Sequence, residues 1–109
     1  RVSVRDTGNQ YRWLMEALAE TGETVEAFVV LDISHGEQKV PEEWRNRLLW
    51  PEHLKVLDYD FDPGYGGRES NPIVVWTPRR VYSIHEYDGS ESLTWIARHP
   101  ADWTLERAD

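Results

Sequence analysis

The last third of the chain constrains the fold most. Residues 73 to 97 contain three extended, β-branched or aromatic runs, Ile73 to Trp76, Val81 to Tyr87 and Ser90 to Ala97. Thr77-Pro78-Arg79-Arg80 and Asp88-Gly89 separate them, and turns at these two points fold the runs into a three-strand antiparallel meander. Side chains alternate across a strand, so placing the turn centres at Pro78-Arg79 and Asp88-Gly89 fixes which residues share a face. Val75 then faces Tyr82, Ile73 faces Ile84, Ile84 faces Leu93 and Tyr82 faces Trp95, giving one strongly apolar face. The other face carries Val74, Trp76, Val81, Ser83, His85, Ser92, Thr94 and Ile96 and is mixed in character.

A helix precedes the meander. Asn9 is a good N-cap, Tyr11, Leu14, Met15 and Leu18 recur at i, i+3, i+4 and i+7, and Gly22 suits the position just past the C-terminus. Thr24 to Ile33 is a β-branched run that predicts a strand buried on both faces. Pro41 predicts the first residue of a short second helix, with Glu42 and Glu43 at its positive end and Trp44 and Leu48 on its inner face, ended by Pro51. From Leu54 the period becomes two, which predicts an extended segment with Leu57, Tyr59 and Phe61 inward and Asp58, Asp60 and Asp62 outward. The resulting fold class is α+β. It is a four- to five-stranded, mostly antiparallel sheet ending in the meander, with one N-terminal helix packed on a face and a second short helix. At 109 residues the chain forms a single domain. Trp103 is the expected anchor of the tail.

Composition narrows the function classes. There is no cysteine, so disulfides, thiolate metal sites and cysteine nucleophiles are excluded. The formal net charge is −8, from 20 acidic and 12 basic residues, and this field repels nucleic acid and anionic lipid. The mean hydropathy is −0.68 and no apolar run approaches a membrane span, so the expectation is a soluble, cytoplasmic protein. Arg1 at the start is consistent with trimming. Six tryptophans and five tyrosines supply large apolar area for a core or an interface.

Asp58, Asp60, Asp62 and Glu69 occupy positions one, three, five and twelve of a twelve-residue window, the ligand spacing of a calcium loop. Pro63 stands where such a loop needs glycine, and both flanks read as extended rather than helical. These four residues define a candidate calcium or magnesium site, and charge on the wet face of a strand accounts for the same pattern. Gly64-Tyr65-Gly66-Gly67-Arg68 precedes a strand rather than a helix, which favours a connecting or contact loop with Tyr65 at its tip over a phosphate cradle. Arg79, Arg80 and Arg98, with Trp76 near, form a candidate anion-gripping cluster, against which stands ordinary edge protection by charge. Glu37-Gln38-Lys39 has the Glu-x-Lys spacing of some metal-dependent nucleases, a pattern that arises readily by chance. The four histidines have no zinc spacing, and no serine-histidine triad is legible.

The reading that follows is a small acidic, non-enzymatic binding protein acting through an aromatic or acidic surface on a protein partner. An inhibitor or a nucleic-acid mimic is a variant of it, and homo-oligomerisation is compatible with it. No cofactor is required. The alternative is a divalent-metal-dependent enzyme or calcium-stabilised domain centred on Asp58 to Glu69.

Overall fold

Strand pairing places the earliest strand inside the sheet rather than at its edge. The computed structural model describes residues 7–64 and 69–101, and Tyr65, Arg68 and Trp103 lie outside them. Helix α1 (Gln10–Thr21) is followed by β1 (Ala27–Val30), β2 (Leu48–Leu49), β3 (Ile73–Trp76), β4 (Arg80–Tyr87) and β5 (Ser90–Ala97). The five strands form one antiparallel sheet in the order β2-β1-β3-β4-β5. Two 3-10 segments, Glu42–Trp44 and Pro51–Leu57, flank β2.

Local chemistry explains each boundary. The Asn9 side chain accepts the Arg12 amide at 2.9 Å, and Gly22 closes α1 in the left-handed region at φ 76°, donating its amide to Leu18 O. In the meander, Val75 opposes Tyr82, Ile84 opposes Leu93 and Tyr82 opposes Trp95, the register expected from the turn positions. Asp88 and Gly89 both take positive φ, 53° and 84°, as a two-residue hairpin with strand-matched twist requires.

One layer covers the sheet. Leu14 of α1, Val40 and Leu57 pack with Phe28, Val30, Leu49, Ile73, Val75 and Tyr82, which all project from the same side of the sheet. Buried Asn71 fastens the long β1–β2 connection beneath this layer. Its Oδ1 accepts the amides of Lys39 and Val40 at 3.0 and 3.2 Å, and its Nδ2 donates to Leu31 O and Gln38 Oε1 at 2.8 and 2.7 Å.

Three local expectations change. The first strand is buried on one face only, Phe28 and Val30, because no described element packs against Ala27 and Val29 on the other. The second short helix is present as a 3-10 turn, Glu42–Trp44, with Pro41 just ahead of it as the cap rather than at its first position, and Leu48 belongs to β2 with its side chain exposed. Leu54 to Leu57 is part of a 3-10 helix rather than an extended run, since Pro51 starts a turn and His53 Nδ1 accepts the Trp50 amide at 3.2 Å. The in-out alternation from Leu57 to Asp62 still holds in burial. Its backbone is held by a single bridge, with Gly8 and Phe61 exchanging amide-to-carbonyl bonds of 2.7 and 3.0 Å.

Candidate functional site

The carboxylates of the Asp58 to Glu69 window converge in part, on an amide group. Asn9 Nδ2 donates one hydrogen to Asp58 Oδ1 and the other to Asp60 Oδ1, both at 2.9 Å, so a neutral donor occupies the focus of the first two aspartates. Asp62 turns away. Its Oδ1 accepts the Gly64 amide at 2.9 Å and its own amide donates to Glu69 Oε1 at 3.2 Å, which ties the two ends of the glycine loop together. The Glu69 amide in turn donates to Glu91 Oε2 at 2.8 Å, and Ser70 Oγ donates to Glu91 Oε1, fixing the loop to the edge of β5. Among the described residues no group of three or more Asp, Glu, His or Cys side chains is arranged to hold a metal ion.

Arg79, Arg80 and Arg98 do meet at one end of the sheet, but carboxylates are interleaved with them. Arg80 Nη1 pairs with Glu23, whose Oε1 also accepts the Arg79 amide at 2.8 Å, while Arg98 Nη1 pairs with Glu26 and donates to Thr77 O at 2.9 Å. The Glu23 and Arg80 side chains are both only 9% exposed. Burial works to raise the Glu23 pKa; hydrogen bonds from Thr77, the Arg79 amide and Arg80, with the Arg80 charge, outweigh it and hold the carboxyl below its ordinary 4.5. The Arg80 guanidinium lies over the Trp95 ring, 4.7 Å from its centroid. The cluster is an internal clasp between the segment after α1 and the β3–β4 hairpin. Trp76 projects from the opposite face of the sheet to Arg80, so it takes no part in that cluster.

Glu37 and Lys39 form a loose surface pair at 3.8 Å, and Gln38 between them exchanges hydrogen bonds of 2.9 Å with the Ile33 amide and carbonyl. That triplet is a loop staple.

On the sheet face away from α1 no described element is packed. Among the described residues five large apolar side chains are substantially exposed: Leu31 (38%), Leu48 (50%), Trp50 (49%), Tyr87 (76%) and Ile96 (55%). By strand alternation all five fall on the face away from α1, Tyr87 and Ile96 within β4 and β5, Leu48 within β2, and Leu31 and Trp50 one step beyond β1 and β2. The register aligns side chains there in two rows across the sheet. Ala27, Trp76, Val81 and Ile96 form one, continued by Trp50 at the β2 side; Leu48, Val29, Val74, Ser83 and Thr94 form the other. None of these residues belongs to the core cluster or packs against it.

The face is also free of charge at its strand positions. From Ala27 and Val29 through Val74, Trp76, Val81 and Ser83 to Thr94 and Ile96 there is no Asp, Glu, Lys or Arg, in a chain that is 29% charged. Trp76, Val81 and Ile96 make the β3, β4 and β5 part of this surface legible in the sequence. Leu48 is not legible there, because a two-residue strand conceals it, nor are Leu31 and Trp50, which join the face only because β1 lies between β2 and β3.

The architecture is α+β, with an antiparallel sheet that the described residues cover on one side. Compared with known proteins, the chain matches no family model, no curated protein and no solved structure. No described helix is long and apolar enough to cross a membrane.

Proposed function

We propose that this chain is a non-enzymatic protein-interaction module whose working surface is the open sheet face. The observation that carries the reading is the coincidence of exposed large apolar side chains with a charge-free face. Single exposed hydrophobics are ordinary on any surface, whereas a contiguous patch marks a site of association. The strands are four, two, four, eight and eight residues long. At about 3.4 Å rise and 4.8 Å spacing the sheet has a flat footprint of ~420 Å², shared between apolar positions and the Ser, Thr and His positions of β4 and β5. Trp76 near the middle and Trp50 at one end are the residue type that dominates interface energetics.

The apolar surface is favoured over an acidic one because several carboxylates already have a partner within the chain. Glu23 and Glu26 are held by Arg80 and Arg98, Asp32 by Arg45, and Asp58 and Asp60 by Asn9. A decoy for a basic nucleic-acid-binding site needs its carboxylates free and aligned.

Site-specific photo-crosslinking in cells tests the reading. A benzophenone side chain at position 96, on the open face, is expected to yield a discrete protein adduct, and one at position 16, on the exposed side of α1, is expected to yield none. Absence of an adduct at 96, or equal adducts at both positions, overturns it.

A further inference from the structure

We draw no further inference here: the strongest candidate, the surface patch on the sheet face away from α1, where Arg79 and Arg98 adjoin the row of Trp76, Val81 and Ile96, carries nothing because nothing in the structure shows what covers it.

Discussion

Two asparagines do work at the residue scale that their hydropathy conceals. Asn71 is fully buried, and its side chain makes four hydrogen bonds that hold the β1–β2 connection against the chain entering β3. Replacing it by alanine removes the acceptor of the Lys39 and Val40 amides and the donor to Leu31 O, while Gln38 Oε1 keeps the Ile33 amide. The expected cost is at least ~3 kcal/mol, read as a lowered midpoint in urea denaturation. Asn9 presents a sharper case. Aspartate is normally as good an N-cap as asparagine, because only the acceptor oxygen is used. Here Nδ2 also donates to Asp58 and Asp60. Asn9→Asp therefore keeps the cap and places a third carboxylate against two others, where Asn9→Ser keeps the cap without that charge. The aspartate variant is expected to be less stable than the serine variant at pH 7 by ~1 kcal/mol or more, from the like-charge repulsion of three neighbouring carboxylates. Equal stabilities at pH 7 would show that the Asn9 amide contributes nothing to holding the aspartates.

At the scale of elements, the Glu23–Arg80 clasp joins the end of α1 to the β3–β4 hairpin, and its energetics set a pH dependence. The Glu23 carboxyl is held below its ordinary value, so its contribution to stability is present in full above about pH 4.5 and is lost as pH falls through the lowered folded value. Glu23→Gln removes the carboxylate charge that faces buried Arg80 and weakens a charge-assisted hydrogen bond, and is expected to cost ~2 kcal/mol at pH 7. The difference from wild type shrinks between pH 5 and 3; a difference that stayed constant over that range would show that the charge itself is not what binds the hairpin. The same elements show where the sequence was legible. Asn9 and Gly22 delimited α1, and the two turn dipeptides fixed the meander register, because caps and turns depend on chemistry within a few residues. The Pro51–Leu57 segment was misread because Leu57, Tyr59 and Phe61 alternate with aspartates without any strand to pair with beyond the Gly8–Phe61 bridge. The aspartate spacing was misleading for a related reason: the donor that answers Asp58 and Asp60 lies about fifty residues earlier in the chain, at Asn9, and no local window contains it.

At the scale of the whole molecule, charge and apolar surface are segregated, and that segregation makes association depend on salt in a definite direction. A protein that grips an oppositely charged partner weakens as salt rises, because its attraction is screened. The open face bears no carboxylate or ammonium group at its strand positions, so what it offers a partner is the burial of side chains such as Ile96 and Leu48, which moderate salt leaves intact or strengthens. Between 0.03 and 0.5 M ionic strength the Debye length falls from roughly 18 Å to about 4 Å, enough to remove most of the attraction between exposed charges. The yield of the crosslinked adduct at position 96, measured in cell lysate at pH 7.5, is therefore expected to hold or rise between these conditions. A yield that falls as salt rises would mean that ion pairs hold the partner, and the contact would then lie on the charged surface and not on the open face.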